Sequence, residues 1–485
     1  MKYAFLVLYI VLLVVVSFVA SKKVKNLDDF HLGGRSIGPW LSAFAYGTAY
    51  FSAVIFIGYA GKLGWNFGLA ATWIGVGNAF IGSYLAWRIL GPSTRRMTQR
   101  LNVGTMPELF AARYGSKGLK IVTAAVIFIF LTPYSASVYQ GLAYLFEGAF
   151  NIPFEYCMIG MAVLTAVYLL AGGYFATVLT DLVQGIFMIL GVVAMIFCLL
   201  NSFGGGAEAL SKLAAIAPQN VTVLGPDPLN LFWLFMLTSL GVWGLPQMVH
   251  KFYAIRSDKA IKTGAIVSTA FAVIVGCAAY FAGAFGRVAF AEVPIDPATM
   301  AANYDMIMPQ MLMNTMPELV LGLIVVLVLS ASMSTLSSLV LASASTISID
   351  LIRGVFFPKM SDKQTKRVMQ VFCLLFIAIS VVIALGKNNA IVNMMAFSWG
   401  TVAGCCLGPY VFGVLWKGAT RAGAWAGVIA GVGVSLALAF ILGPGQAPFS
   451  GCMAMFASLV AVPVVSLFTK KTPAQELDAA FGTGE

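Results

Sequence analysis

The stretch that decides the fold is Leu329-Ser-Ala-Ser-Met-Ser-Thr-Leu-Ser-Ser338. It lies inside an apolar segment, Leu319 to Ile349, that is long enough to cross a lipid bilayer. On a helix, Ser330, Ser334 and Ser337 share one face. Hydroxyls in hydrocarbon usually bond back to their own helix or let helices pack tightly. They can also bind a hard monovalent cation such as Na⁺, together with backbone carbonyls from a broken helix. The stretch alone leaves both interpretations open.

The composition is that of a polytopic all-α integral membrane protein. Of the 485 residues, 60% are hydrophobic and only 10% are charged, whereas a soluble domain carries about 25% charged residues. The net charge of +11 lies in short loops between apolar spans, so topology explains it better than nucleic-acid binding does. Seven cysteines lack metal-site spacing, and the two histidines, His31 and His250, are in loop-like positions. No cluster of side chains predicts an enzyme.

Hydrophobicity predicts thirteen membrane spans. They are 4–20, 38–61, 67–91, 119–148, 154–173, 176–201, 229–250, 264–291, 317–350, 368–386, 389–415, 422–442 and 450–468. The first is followed by Lys22, Lys23 and Lys25, which favours an uncleaved span over a signal peptide.

Basic residues predict the orientation of these spans. With the N-terminus outside and the C-terminus in the cytoplasm, nearly all of the 29 Lys and Arg residues, Lys251 among them, fall in cytoplasmic loops. The five exceptions are Lys2, Lys62, Lys212, Arg287 and Lys387. A wrong span count would spoil this separation, so the charge pattern favours thirteen spans with this orientation. We expect the membrane to be the plasma membrane.

Two spans carry breaks at corresponding positions. Span 2 contains Gly47 among small residues, and span 7 contains Gly241-Val-Trp-Gly-Leu-Pro246. Each could be a simple kink. Because they lie five spans apart, they also predict two inverted five-helix repeats with broken helices 2 and 7. The expected parts of this single transmembrane domain are 1–37 (first helix and loop), 38–201 (first repeat), 229–415 (second repeat), 422–468 (last two helices) and 469–485 (cytoplasmic tail).

Several motifs carry a resemblance to a known family. They are Leu32-Gly-Gly-Arg-Ser-Ile-Gly-Pro39, Ala171-Gly-Gly173 followed by Thr180-Asp-Leu-Val-Gln184, Gly241-Val-Trp-Gly-Leu-Pro246, Ala282-Gly-Ala-Phe-Gly-Arg287 and Met333-Ser-Thr-Leu336. In these motifs the whole chain resembles the sodium:solute symporter family, with features of its bacterial pantothenate and proline branches. The resemblance implies a LeuT-like inverted-repeat fold with thirteen helices and an extracellular N-terminus.

The resemblance also implies a Na⁺ site between helices 2 and 9. The ligands would be the backbone carbonyls of Thr48, Phe51 and Ala331 and the hydroxyls of Ser334 and Thr335. An oxygen site built from unwound backbone suits this fold class.

One departure concerns the substrate. The proline branch has an aspartate where this chain has Tyr50, and its tryptophan and tyrosine on helix 7 fall near Thr238 and Val242. We therefore expect no carboxylate in the Na⁺ site, and proline is a less favoured solute.

The remaining polar residues within the spans supply further candidates. Asp181 resembles an acidic residue that the family uses on the ion exit route, although an interfacial Asp at a helix N-terminus would also explain it. Asp350, beside Arg353, predicts an interfacial ion pair. Substrate contacts should face the two breaks, although packing is an alternative for each of them. The candidates are Ser52, Tyr134, Gln140, Trp243, Ser398 and Trp399.

These observations predict a secondary-active symporter that imports a small organic solute with Na⁺ as the co-transported ion. The solute would be a carboxylate such as pantothenate or a monocarboxylate, or an amino acid. The expected partners are this solute and the lipid bilayer, with no nucleic acid, and the protein would function as a monomer. Proton coupling of the same fold and a solute sensor remain alternatives. A channel is disfavoured because no filter motif occurs.

Overall fold

The computed structural model describes residues 2–22, 24, 26–296, 300–386 and 390–482. The first α-helices are α1 (Lys2–Ser21), α2 (Leu27–Leu32), α3 (Pro39–Tyr50), α4 (Ala60–Phe67), α5 (Thr72–Gly77), α6 (Gly91–Arg100), α7 (Met106–Tyr114), α8 (Lys117–Phe150) and α9 (Phe154–Ser202). Those that follow are α10 (Gly206–Ile216), α11 (Pro228–Gly241), α12 (Pro246–Ala254), α13 (Asp258–Ala272), α14 (Ala278–Gly283), α15 (Gly286–Ala289), α16 (Ile307–Thr315), α17 (Glu318–Ser345), α18 (Asp362–Leu385), α19 (Ile391–Leu415), α20 (Arg421–Leu442), α21 (Ala447–Phe468) and α22 (Ala474–Phe481).

Other helical turns join some of these α-helices. π-helical segments cover Val54–Tyr59, Asn78–Leu90, Val273–Cys277 and Thr346–Phe356. 3₁₀ turns cover Gly33–Arg35, Gly68–Ala71, Pro218–Val221, Val242–Gly244, Tyr304–Met306 and Pro444–Gln446. Strands β1 (Ile295–Asp296) and β2 (Ala301–Ala302) pair antiparallel, with Ile295 opposite Ala302.

Within the described residues, ten helices are long and apolar enough to cross a membrane, and an eleventh is the bent pair Pro228–Gly244 and Pro246–Ala254. Phe154–Leu170 is a shorter apolar helix. Large apolar side chains on the outermost helices are exposed, for example Leu8 and Phe440 at 68% and 92%. Such a surface is stable against lipid and unstable in water.

Helix α17 lies at the centre of the fold. Every residue from Ile324 to Ser345 is buried, and α17 packs against α1, α3, α8, α9, α12 and α18. A helix that is surrounded on all sides must be apolar all round or satisfy its polar groups through neighbours. The Ser and Thr residues of 329–338 are small enough for this close packing.

Three interruptions shape the surroundings of α17. Helix α3 ends at Tyr50, where Phe51 is extended (φ −109°, ψ 109°). Helix α11 passes through a 3₁₀ turn to an extended Leu245 before α12 begins, with a bend of 45°. In α9, Gly173 has φ 52° and ψ −147°, a conformation that only glycine adopts readily.

The face that the charge pattern predicts to be cytoplasmic is closed by main-chain bonds. The Ile37 amide donates to the Ala254 carbonyl at 3.2 Å, and the Arg256 amide donates to the Ile37 carbonyl at 3.1 Å, so the loop before α3 forms a parallel bridge with the end of α12. His31 and His250 pack beside this closure with their ring centres 4.8 Å apart. Both are buried, so the expectation of loop-like histidines is wrong.

Candidate functional site

The end of α3 makes polar contacts with the middle of α17. The Ser334 hydroxyl donates to the Thr48 hydroxyl at 2.8 Å. The Thr335 hydroxyl lies 3.3 Å from the Ala49 carbonyl and 3.5 Å from the Thr48 carbonyl. These groups are fully or almost fully buried. The last carbonyls of a helix have no partner within it, so the end of α3 at Tyr50 leaves them available to α17.

The structure therefore brings together Thr48, Ser334 and Thr335, three of the five predicted Na⁺ ligands. Phe51 directly follows the end of α3, and its backbone is extended there. Ala331 lies one helical turn before Thr335 and is fully buried. Hydroxyl and carbonyl oxygens in this dry environment form a ligand set that suits Na⁺. Among the described residues, no group of three or more His, Cys, Asp or Glu side chains forms an alternative metal site.

The other hydroxyls of the 329–338 stretch serve the helix itself or its packing. Ser332 donates back to the Val328 carbonyl at 2.6 Å, and Ser337 donates to the Ser334 carbonyl at 2.9 Å. Ser330 donates to the Tyr9 hydroxyl on α1 at 2.8 Å. Helix bonding and packing thus explain Ser330, Ser332 and Ser337, whereas Ser334 and Thr335 face the oxygen cluster.

A small enclosed cavity lies beside the break after α3. Its volume is about 20 Å³, which is room for about one water molecule. It is lined by Tyr50, Phe51, Ser52, Val54, Ile55, Tyr59, Asn78, Tyr134, Thr238, Tyr280, Met395 and Trp399. We call it the central cavity. In this conformation it is too small for an organic solute.

Three of the six predicted substrate contacts line the central cavity. The Tyr134 hydroxyl lies beside Ser52, Thr335 and Trp399, and the rings of Tyr134 and Trp399 meet edge to face at 5.7 Å. Because Thr335 also contacts the carbonyls at the end of α3, Tyr134 links the oxygen cluster to the cavity.

The other three candidates lie outside the central cavity and bind backbone carbonyls. Gln140 donates to Ala384 at 3.0 Å, and the Trp243 indole donates to Ile81 at 2.9 Å. Ser398 donates to the carbonyl of Phe130. Each of these side chains therefore ties two segments of the fold together.

A larger cavity of about 760 Å³ lies above the central cavity. Its lining includes Lys62, Asn66, Gln219, Asn220, Asp227, Asn230, Leu234, Arg287, Val392, Asn393 and Phe449. We call it the vestibule. Leu234 in the vestibule is one turn from Thr238 in the central cavity, and Lys62 and Val392 are likewise about one turn from Tyr59 and Met395. The two cavities are therefore stacked along the same helices.

Two charged residues are buried on the other side of the oxygen cluster. Asp181 is fully buried, and within the described part of the chain its carboxylate oxygens make no well-formed hydrogen bond, although Ser334 lies close by. Lys251 is 1% exposed, so its placement in a cytoplasmic loop is wrong. The interfacial pair of Asp350 with Arg353 is also wrong. Asp350 is buried 3.4 Å from Lys120, while Arg353 pairs with Asp362 at 2.8 Å.

Sequence reasoning missed several polar residues of the central cavity, namely Tyr59, Asn78 and Tyr280. Each is a single polar residue in an apolar helix, which is a weak signal. In the sequence, Tyr50 stands out only as a departure from the proline branch. Its hydroxyl donates to the Thr238 carbonyl at 2.7 Å.

Comparisons with known proteins identify the family of the chain. The model of the sodium:solute symporter family matches residues 30–431. The sodium/proline symporter of Staphylococcus aureus (strain JH9) is 31% identical, over 88% of this chain and 84% of the relative. The osmoregulated proline transporter OpuE of Bacillus subtilis (strain 168) is 28% identical, over 99% and 96%.

Solved structures show the same fold. An outward-open Na⁺-coupled sialic acid symporter with bound substrate superposes with a TM-score of 0.81 at 18% identity, over 97% of this chain and 98% of that chain. The nucleobase-cation-symport-1 family transporter Mhp1 gives a TM-score of 0.55 at 15% identity, over 93% and 97%.

The apolar helices show a multi-pass membrane protein, and the family and the relatives are transporters and not enzymes. The chain belongs to the sodium:solute symporter family, which confirms the resemblance in its motifs. It is therefore a sodium-coupled solute symporter of the plasma membrane.

Proposed function

We propose that this symporter imports a small organic solute with a carboxylate group, driven by Na⁺ that binds between α3 and α17. The Na⁺ ligands are the carbonyls of Thr48, Phe51 and Ala331 and the hydroxyls of Ser334 and Thr335. The solute contacts Ser52, Tyr134 and Trp399 in an opened form of the central cavity. Na⁺ is cargo, carried together with the solute.

The observation that carries this proposal is the shared backbone at the end of α3. The carbonyls of Thr48 and Ala49 contact the Thr335 hydroxyl. The next three residues along the chain, Tyr50 to Ser52, line the central cavity. An ion that fixes this backbone also fixes the wall of the solute site. Ion and solute then favour the same conformer, which is the thermodynamic basis of coupling.

The vestibule supports a carboxylate-bearing solute. Among the described residues of its lining, Lys62 and Arg287 contribute two positive charges and Asp227 one carboxylate. The Arg287 guanidinium is held over the Trp65 ring at 4.7 Å and donates to the Trp65 carbonyl at 2.7 Å. A positive entrance raises the local concentration of anions. Pantothenate, monocarboxylates and amino acids all carry this group, and the names of the relatives add proline to the solutes that should be tested.

The architecture that we propose has thirteen spans. The described part of the chain offers eleven candidate spans. The long segment Val54–Arg100 counts as two spans if it is divided at Gly68, where φ is 60°. The shorter helix Phe154–Leu170 then brings the number to thirteen. The breaks after Tyr50 and at Leu245 then belong to helices 2 and 7 of two inverted five-helix repeats. With the N-terminus outside, the vestibule opens to the exterior and the Ile37–Ile255 bridge closes the cytoplasmic side.

Transport then proceeds by alternating access. Na⁺ and solute enter from the vestibule, and both must lose water before they bind in the closed site. Opening on the cytoplasmic side separates Ile37 from the end of α12. One Na⁺ moving down 100 mV supplies about 2.3 kcal/mol, before its concentration gradient is counted.

A thermal-shift screen of the purified full-length protein tests the proposal. Amino acids, pantothenate and short carboxylates are added in Na⁺ or in K⁺. We expect one solute to raise the Tm in Na⁺ and not in K⁺. Solute binding that is indifferent to Na⁺ would contradict sodium coupling and favour a proton-coupled transporter or a sensor.

Variants then locate the ion. Thr335→Val and Ser334→Ala should each raise the Na⁺ concentration for half-maximal stabilisation by about tenfold, the equivalent of 1.4 kcal/mol. Ser332→Ala is the matched control, because Ser332 bonds back to Val328 within its own helix. An unchanged Na⁺ response in both site variants would remove the assignment.

A further inference from the structure

Asp181 is a buried carboxylate whose position needs an explanation. It lies on α9, eight residues after the break at Gly173, and is fully buried. Within the described residues its carboxylate oxygens lack a well-formed hydrogen bond, and the Ser334 hydroxyl is the polar group that lies close by. A charged group inside a membrane protein is costly unless something compensates it.

The compensating charge comes from Lys251 on α12. Its side chain is buried, and its ammonium donates to the Ser338 hydroxyl at 3.0 Å and lies 5.1 Å from the centre of the Tyr174 ring. Lys251 is the cation that acts electrostatically on Asp181. The two groups form no direct ion pair, so the ammonium is held near the carboxylate without binding it.

The oxygen cluster adjoins this pair of charges. Ser334, which bonds to Thr48, is also close enough to interact with Asp181. Ser338, which holds Lys251, lies one turn beyond Ser334 on the same face of α17. An ion that leaves Ser334 towards the cytoplasmic side therefore meets Asp181 and Lys251 together.

We propose that Lys251 is a tethered cation that competes with the departing Na⁺ for the Asp181 carboxylate. An uncompensated carboxylate in this dry position would attract the dehydrated ion and trap it. The Lys251 ammonium neutralises that attraction from a fixed position, so that Na⁺ passes Asp181 and is released. This inference rests on the proposed Na⁺ site and assigns a positioning role to a residue outside it.

Lys251 and Asp181 lie on segments that follow different breaks. Lys251 is carried by α12, beyond the bend at Leu245, whereas Asp181 is carried by α9, beyond Gly173. A movement of α12 therefore changes the distance between the ammonium and the carboxylate. The competition then depends on the conformational state of the transporter.

The test measures Na⁺ binding to the purified full-length protein with radioactive sodium and, separately, the Na⁺-dependent rise in Tm. Lys251→Gln removes the tethered cation, and we expect the Na⁺ concentration for half-saturation to fall about tenfold, because Asp181 then attracts Na⁺ unopposed. Lys251→Arg keeps the charge and should stay close to wild type. Lys120→Gln is the matched control, because Lys120 also faces a buried carboxylate, that of Asp350.

If Lys251→Gln alone does not fold, the double variant Asp181→Asn with Lys251→Gln tests whether Lys251 competes with Na⁺ for Asp181. With both charges removed, half-saturation should stay within about twofold of wild type. A Lys251→Gln variant with the wild-type Na⁺ response, or a double variant that binds Na⁺ much more weakly than wild type, would overturn the inference. Failure of the proposed function is distinguishable, because the wild-type protein itself would then show no Na⁺ binding.

Discussion

The hydroxyl of Tyr50 donates a hydrogen bond to the carbonyl of Thr238 at 2.7 Å, which joins the last residue of α3 to α11 just before the 3₁₀ turn that ends it. Both residues line the central cavity. The bond thus ties the end of α3 to the last turn of α11.

Tyr50→Phe should weaken the protein and its solute site together. Losing one buried hydrogen bond should cost about 1 kcal/mol, seen as a lower Tm, and solute affinity should fall as well. Tyr46→Phe is the control. Tyr46 lies on α3 like Tyr50 but does not line the central cavity, and its hydroxyl donates to the Gly82 carbonyl at 2.6 Å. Equal solute affinity in both variants would contradict a role for the Tyr50 bond in the site.

Tyr134→Phe should uncouple the two ligands more than it weakens either one. Its hydroxyl lies between Thr335 on the ion side and Ser52 with Trp399 on the solute side. We expect the factor by which saturating Na⁺ improves solute affinity to fall at least fivefold, about 1 kcal/mol of coupling. Solute affinity measured by calorimetry with and without Na⁺ gives this factor. Tyr139→Phe, on the same helix but away from the cavity, should keep the wild-type coupling.

Gly173→Ala should damage folding. Gly173 has φ 52°, and an added Cβ would lie 2.5 Å from the carbonyl oxygen of Phe30. Strain and overlap together should cost at least about 2 kcal/mol, seen as a lower Tm and a smaller monodisperse yield. Gly160→Ala lies earlier in α9, where an added Cβ meets nothing within 4 Å. A Gly173→Ala protein as stable as Gly160→Ala would show that the break tolerates a side chain.

Asp305 should make stability depend on pH. Burial raises the pKa of this carboxyl to about 6, while its hydrogen bond from the Ile391 amide and the charge of Lys62 act in the opposite direction. The unfolded pKa is about 3.9, so the folded protein holds the proton more tightly. The stabilisation is present at low pH and is lost as the pH rises through about 6.

The corresponding measurement compares the Tm of wild type and Asp305→Asn between pH 5 and pH 8. Relative to the variant, wild type should lose about 1–2 kcal/mol over this range. Asp227→Asn is a suitable control, because Asp227 caps α11 from a more exposed position. Parallel curves for wild type and Asp305→Asn would rule out the effect.

The helical segments were predictable because their signal is local. The expected spans 119–148, 422–442 and 450–468 lie within three residues of the bounds of α8, α20 and α21. The sequence also indicated that residues 329–338 have a packing or ion-binding role, because a cluster of Ser and Thr is unusual in an apolar span. Some of these hydroxyls bond within α17 and others contact α3. The position of α3 decides which, and it cannot be derived from residues 329–338 alone.

The failures all involve charged or polar groups with distant partners. In the sequence, Lys251, His250 and Asp350 resemble loop or interfacial residues, because both polar and apolar residues surround them. Their burial comes from Ser338, His31 and Lys120, which lie 87, 219 and 230 positions away along the chain. Contacts of this kind follow from tertiary packing, and hydrophobic periodicity does not predict them.

The bridge between Ile37 and the end of α12 uses main-chain atoms alone. Side-chain substitutions at these positions therefore leave its two hydrogen bonds in place, and only proline would remove a donor. At about 1 kcal/mol each, two such bonds are weak enough to break in every cycle. The hydrogen bonds therefore do not select the residue type here, and the requirement for isoleucine comes instead from packing, because Ile37 and Ile255 are buried at 2% and 0% exposure.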